Sequence, residues 1–274
     1  MNWLESLIYG LVSGITEFLP ISSFAHQKIL SKLFGVSAAD PVQDLLVHLV
    51  LVASLLMGCH NLIEQLRREH RLRNNNRRGI PGNSNMLELR FLKNAVLPLS
   101  IGYFVLLNCI TIPANLLWIT LFSFINATIL FVPSRMMHGN KDERSMSVFD
   151  SFIFGLSGAL AVFPGISRIA AMLGVASVRG IDRRKAIDWV LLLSIPALLI
   201  LSVIDVINIF SASGQAQITG NLLGYLISAI GAYLAGYFGI LLMRSTTSNK
   251  DHSGFSYYSL GVMLFSLFLY LSVV

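Results

Sequence analysis

The stretch GLVSGITEFLPISSFAH, residues 10–26, decides how the chain is built. It is apolar enough to enter a bilayer. Ser13-Gly14, Glu17, Pro20, Ser22-Ser23 and His26 nevertheless break it before an apolar run reaches the roughly 20 residues that a spanning helix needs. Backbone interrupted at membrane depth persists only where protein or a water-filled cavity satisfies its freed N–H and C=O groups. A second stretch, SGALAVFPGISRIAA at 157–171, has the same character, with breaks at Ser157-Gly158, Pro164-Gly165 and Ser167-Arg168. Residues 1–41 and 151–185 therefore read as re-entrant helical hairpins. The two align without a gap, Ser13-Gly14 on Ser157-Gly158, Pro20 on Pro164 and Ser23 on Ser167, at one offset of 144 residues.

Six further segments are long and apolar enough to span, at 42–60, 94–113, 115–132, 187–210, 219–243 and 255–274. Each half then holds one hairpin and three spans. Three is odd, so the second half enters upside down relative to the first, an inverted-topology repeat whose hairpin tips meet near the midplane. The expected architecture is an all-α integral membrane domain over 1–274. Repeat 1 covers about 1–132, a cytoplasmic linker 133–150, and repeat 2 about 151–274. Composition agrees: 54% of residues are hydrophobic and 12% charged, with mean hydropathy +0.69, against about 25% charged in a soluble domain. A soluble enzyme, a disordered chain and a nucleic-acid partner are excluded on these grounds.

Basic residues set the orientation. Arg67, Arg68, Arg71, Arg73, Arg77 and Arg78 crowd the 61–93 loop, while the 113–115 link and the 211–218 loop carry no charge, which puts the arginine loop in the cytoplasm. NNNRRGIPGNSN at 74–85 reads as flexible. Walking the spans places 133–150, 179–185 and 244–254 inside too, and both termini outside. The net charge of +6 reflects this bias. The N-terminus lacks a basic n-region and carries Glu5 and Glu17, so it reads as mature sequence. Cys59 and Cys109 have neither disulfide-framework nor metal spacing.

Ionisable groups at membrane depth mark sites. Glu17 stands beside the first break with Ser22, Ser23 and His26; Arg168 follows Ser167 at the second. A carboxylate can hold Mg²⁺ or Ca²⁺, a guanidinium grips phosphate in a bidentate fork, and Ser or His can serve as nucleophile, base or acid. Helix N-termini at both breaks would aim N–H groups at an anion. The combination points to phosphate chemistry.

At these residues the chain resembles the undecaprenyl-diphosphate phosphatases of bacterial cell-wall synthesis, the bacitracin-resistance (BacA/UppP) family, as a divergent member. TEFLPISS within 10–26 is the most specific element; PGISRIAA at 164–171, Asp44, His48 and IDWVLLLSIP at 187–196 extend the likeness over essentially the whole chain. The resemblance implies a divalent-cation-dependent (Mg²⁺ or Ca²⁺) hydrolysis of a polyprenyl diphosphate. It also implies a multi-pass protein of the bacterial inner membrane with a site open to the outer face, and so a part in peptidoglycan synthesis and bacitracin resistance. By matching position, Glu17 would be a catalytic or metal-binding carboxylate, Ser23 a catalytic hydroxyl or phosphate contact, His26 an acid, base or nucleophile, and Arg168 the diphosphate clamp. Ser22, Gly165 and Ser167 would line the substrate.

This chain departs from the family at Ser13, where the family has its first Glu, at Phe24-Ala25 in place of Thr-Gly, and at Ile169-Ala170 in place of Ser-Gly. The implied pocket is less polar and tighter, with Asp44 or Asp188 as sources of a second carboxylate. A reading of another class is a degenerate paralogue that binds or translocates a lipid phosphate, since inverted repeats are also transporter architecture. His48 suits a packed, satisfied role as well as a site role, and Asp188 and Asp205 read as structural groups near span ends. The small-residue stripe Gly224, Ser228, Ala232 and Gly236 suits helix packing, within the chain or in a homodimer.

Overall fold

The computed structural model describes residues 2–35, 40–75, 84–109, 115–134, 139–141, 145–211, 221–247 and 253–272. Among them every regular element is helical: α1 (Trp3–Glu17), α2 (Ser23–Phe34), α3 (Pro41–Gly58), α4 (His60–Asn75), α5 (Ser84–Cys109), α6 (Leu116–Ser134), α7 (Val148–Gly158), α8 (Arg168–Val178), α9 (Arg183–Phe210), α10 (Leu222–Thr247) and α11 (Ser253–Leu271). A short 3-10 turn, Ala159–Val162, follows α7.

The helix starts follow from local chemistry. Asn2 with Glu5 and Ser147 with Asp150 form capping boxes on α1 and α7. Asp40 accepts the N–H groups of Val42 and Gln43, with Pro41 in the first position of α3. Among the described residues five helices are long and apolar enough to cross a membrane: Pro41–Gly58, Glu88–Leu107, Arg183–Phe210, Leu222–Thr246 and Ser253–Leu271. The expected span at 115–132 falls in α6, whose apolar part Leu116–Phe131 is shorter. Large apolar side chains such as Phe104, Ile207, Leu223 and Phe268 are exposed on the outside of the bundle, as lipid-facing residues are.

One expectation is corrected. Most of the 61–93 segment is not a loop: α4 prolongs α3 past Cys59, supported by an i,i+4 pair between Arg68 and Glu64 at 2.9 Å, and α5 begins at Ser84. Its polar first turns are retained because Glu88, buried, accepts a 2.6 Å hydrogen bond from Trp189 Nε1 and meets Lys185 at 3.6 Å. α9 likewise starts earlier than expected, at Arg183. Residues 76–83, with Arg77, Arg78 and most of the stretch read as flexible, and 212–220, with nearly all of the uncharged 211–218 loop, lie outside the described residues.

In the packing, α1 lies on α10, α3 on α9 and α10, α5 on α7 and α9, and α6 on α8 and α11. The stripe of small residues on α10 is spent inside the chain. A Cβ on Gly10 would stand 2.2 Å from the Ser228 carbonyl oxygen, one on Gly14 2.5 Å from that of Ala232, and one on Gly224 2.9 Å from Ser6 Oγ. Close backbone approach of this kind replaces the missing hydrophobic drive between helices in lipid.

Candidate active site

Glu17 ends α1 and Arg168 begins α8, and the two meet: Arg168 Nη2 donates to Glu17 Oε1 at 2.8 Å. Their side chains are 16% and 4% exposed, so the pair is shielded from bulk solvent and each charge depends on the other. Tyr103, buried on α5, is a further neighbour of the guanidinium. Arg168 Nε remains buried without a partner. A fork with a spare buried donor suits an anion with several oxygens.

The two breaks are stitched together by Asn126 of α6. Its carbonyl oxygen accepts the Ser167 N–H at 2.9 Å, while its amide donates to the Pro20 carbonyl at 3.3 Å and to Ser259 Oγ at 3.0 Å. Ser167 Oγ adds a bond to the Leu19 carbonyl at 3.2 Å. Freed backbone groups of one hairpin are thus satisfied by the other hairpin and by α6, as interrupted helices in a membrane require. The sequence held a signal for Asn126, the one amide side chain of α6, but it lies in neither motif.

Ser22 and Ser167 are the N-caps of α2 and α8, each accepting the N–H three residues on at 3.3 Å. The structural equivalence of the caps is therefore Ser22 with Ser167, one residue away from the alignment that pairs Ser23 with Ser167. Ser23 occupies the first turn of α2, half-buried, with a hydroxyl that makes no hydrogen bond among the described residues. Both helices leave N–H groups of their first turn without intrahelical partners, and Arg168 is itself the first residue of α8.

His26 is held on both sides. Nδ1 lies 2.6 Å from the Ser22 carbonyl, which can only accept, so that nitrogen carries the proton; Nε2 lies 2.8 Å from the Tyr258 hydroxyl, whose ring stacks on the imidazole. Gly165 has φ +121°, and a Cβ there would stand 2.8 Å from the Ser123 nitrogen. Its smallness is needed against α6.

The departures at this site have physical partners. Ser13 Oγ donates to the Tyr9 carbonyl at 2.7 Å and accepts from Gln27 Nε2 at 3.0 Å; Ala25, Ile169 and Ala170 are buried in the packing, and Phe24 lies under Lys28. Asp188 pairs with Arg244 at 3.0 Å. Asp44 bonds Tyr9, and His48 Nδ1 pairs with Asp205 at 2.6 Å. Asp205 is buried, so it is not a span-end carboxylate reaching headgroup water. Apolar grooves of about 590 and 760 Å³ run along α5–α7 and α6–α8 and are lined almost wholly by hydrocarbon.

Among the described residues no cluster of three His, Cys, Asp or Glu side chains could hold a metal. The donors do fit a hard divalent cation that takes one carboxylate, Glu17, and completes its shell with substrate phosphate and water. They do not make an all-protein cage.

A family model described as "Bacitracin resistance protein BacA" matches residues 6–265. Among curated relatives, "Undecaprenyl-diphosphatase 1" of Shouchella clausii (strain KSM-K16) is 31% identical over 273 residues, covering 94% of this chain and 93% of its own. "Undecaprenyl-diphosphatase" of Carboxydothermus hydrogenoformans is 29% identical, covering 94% of each. That of Thermosipho africanus is 28% identical, covering 97% of this chain and all of its own.

Proposed function

The chain belongs to the bacitracin resistance protein BacA family, and on that premise we propose that it is an integral-membrane phosphatase. It hydrolyses undecaprenyl diphosphate to the monophosphate and so returns the lipid carrier to cell-wall synthesis in the bacterial inner membrane, the step linked to bacitracin resistance. The observation that carries this reading is the buried Glu17–Arg168 pair, which brings an anion-binding fork and a carboxylate from two hairpins to one point.

In this reading Arg168 and the first-turn N–H groups of α2 and α8 hold the diphosphate. The Ser23 hydroxyl, unengaged among the described residues, faces the terminal phosphorus as nucleophile or orients water toward it. His26 can take a proton only at Nε2, where the Tyr258 hydroxyl sits, so proton exchange there runs through that hydroxyl. A divalent cation bound by Glu17 would neutralise charge on the phosphates. Ser22, Ser167 and Gly165 shape the backbone around the anion, and the prenyl chain lies between helices in lipid.

The inverted repeat belongs to the same proposal. It is supported by exchanged pairings, with α1 on α10 answered by α7 on α5, and α3 on α10 answered by α9 on α5. Asp44 and Asp188, in corresponding helices α3 and α9, keep the offset of 144. Topology by the basic residues opens the site to the outer face.

The test is phosphate release from undecaprenyl diphosphate by purified protein in detergent, with Mg²⁺, Ca²⁺ or chelator, beside Glu17→Gln and Arg168→Ala. Cation-dependent turnover lost in both variants is the expected result. Lipid binding without turnover by folded wild-type protein would overturn it in favour of a carrier.

A further inference from the structure

Four ionisable groups, Asp40 and Asp205 buried and Asp44 and His48 half-buried, have no part in the chemistry above. Asp40, Asp44 and His48 recur every fourth residue along one face of α3, about 6 Å apart. Each is met by a group from a different helix: Tyr225 Oη of α10 donates to Asp40 at 2.9 Å, Tyr9 Oη of α1 donates to Asp44, and Asp205 of α9 pairs with His48 at 2.6 Å. Tyr9, Ser13 and Glu17 recur every fourth residue along α1, so the Tyr9–Asp44 contact lies two turns from Glu17 on the same helix. In the turn of α3 that holds Asp44, Gln43, 2% exposed, keeps Nε2 without a partner among the described residues. Apolar residues of similar volume would pack these helices without desolvating so many polar groups, and rows of Asp, His and Tyr inside a membrane are the material of proton paths.

We propose that Asp44, His48, Tyr9 and Asp205 form a proton relay along α3, from the neighbourhood of Glu17 to Asp40 at the start of that helix. The inference rests on the phosphatase reading. One turnover consumes one water: its oxygen ends on the released phosphate, and the bridging P–O bond breaks with its electron pair on the lipid monophosphate. One of the water's protons stays on the released phosphate and the other leaves through the protein. His48, whose Nδ1 is fixed by Asp205, passes that proton from Nε2 toward Asp44. Tyr9 accepts and donates in concert beside Asp44, and Asp40 with Tyr225 ends the row. These residues touch no substrate; they govern how fast the site is reset.

The experiment compares wild type with Tyr9→Phe, Asp44→Asn and His48→Gln, reading kcat, KM, the pH profile and the solvent deuterium isotope effect. The expected result is a fall in kcat of about tenfold or more, at the low side of what a positioned proton-transfer group contributes. KM should stay within about twofold, the isotope effect should rise, and formate or imidazole should restore part of the lost rate. Tyr9→Phe keeps the ring volume and removes only the hydroxyl, so it reports even if the charge variants fail to fold. Unchanged kcat in folded Tyr9→Phe and Asp44→Asn, or a loss that neither rescue agent nor isotope effect tracks, would overturn the relay while leaving the phosphatase standing. No turnover by wild type would overturn the phosphatase reading and the relay with it.

Discussion

In the proposed site Arg168 would serve stability and chemistry at once. Truncating it to Ala leaves Glu17 buried beside no cation, and losing one partner of a buried pair costs about 3–5 kcal/mol. Removing both charges in Glu17→Gln with Arg168→Met should recover most of that stability in thermal unfolding, yet give no phosphate release. Arg168→Lys should fold and bind but turn over about 100-fold more slowly, because an ammonium lacks the planar fork. Equal stability loss in the single and double variants would show that the pair does not hold the hairpins. Asn126→Ala tests the stitch between the breaks. It leaves the Ser167 N–H and the Pro20 carbonyl unpartnered, so about 1–3 kcal/mol should be lost, with a fall in turnover as the two tips separate. At this scale the sequence was legible where chemistry is local. Glu17, Ser22, Ser167 and Arg168 stood beside visible breaks. The His48–Asp205 pair joins residues 157 apart in the chain, and nothing in either neighbourhood announces the other.

Helices that approach to backbone contact cannot tolerate even one added methyl. Gly14→Ala would put its Cβ 2.5 Å from the Ala232 carbonyl oxygen and 2.8 Å from the Gly236 nitrogen, backbone atoms that move only if α1 and α10 part. The expected cost is about 1–3 kcal/mol, seen as a lower Tm in detergent. Gly261→Ala in α11 meets nothing within 4 Å and should gain about 0.5–1 kcal/mol from helix entropy alone. A Gly14→Ala protein as stable as wild type would mean that the α1–α10 contact is looser than described. The caps and breaks of these elements were readable because N-cap side chains and prolines act within a turn. Two features were not. α4 is too polar to register as a span and so read as loop, although its Glu64–Arg68 pair supports a helix. The register of the second break also moves by one residue because the 3-10 turn Ala159–Val162 intervenes before the cap, a backbone detail that no residue type dictates.

The ends of the helices decide which way the whole molecule faces. Arg244 of α10 donates to the Gly58 carbonyl at 2.7 Å and to Asp188 of α9 at 3.0 Å, so the end of α3, the start of α9 and the end of α10 share one side. α4, with Arg67, Arg68 and Arg71 exposed, leaves from that side. Lys141 pairs with the backbone of Gly180 and Asp182 there too, and Arg179 meets Asp150 at 2.5 Å. The opposite side carries the Asp40–Tyr225 contact between the starts of α3 and α10. These basic residues thus gather at one end of the bundle in space as well as in sequence, and on the charge bias we propose that end as the cytoplasmic one. Cysteine labelling checks it in a Cys109→Ser background. Cys59 can stay, since it is 1% exposed and burial pushes its thiol up to about 11, which leaves almost no thiolate to react. With a membrane-impermeant maleimide on intact cells, Ser213→Cys should label, and Arg71→Cys should label only after permeabilisation. The reverse pattern would turn the molecule over and place the Glu17–Arg168 site before the inner leaflet. The lipid diphosphate would then have to be delivered from the cytoplasmic side.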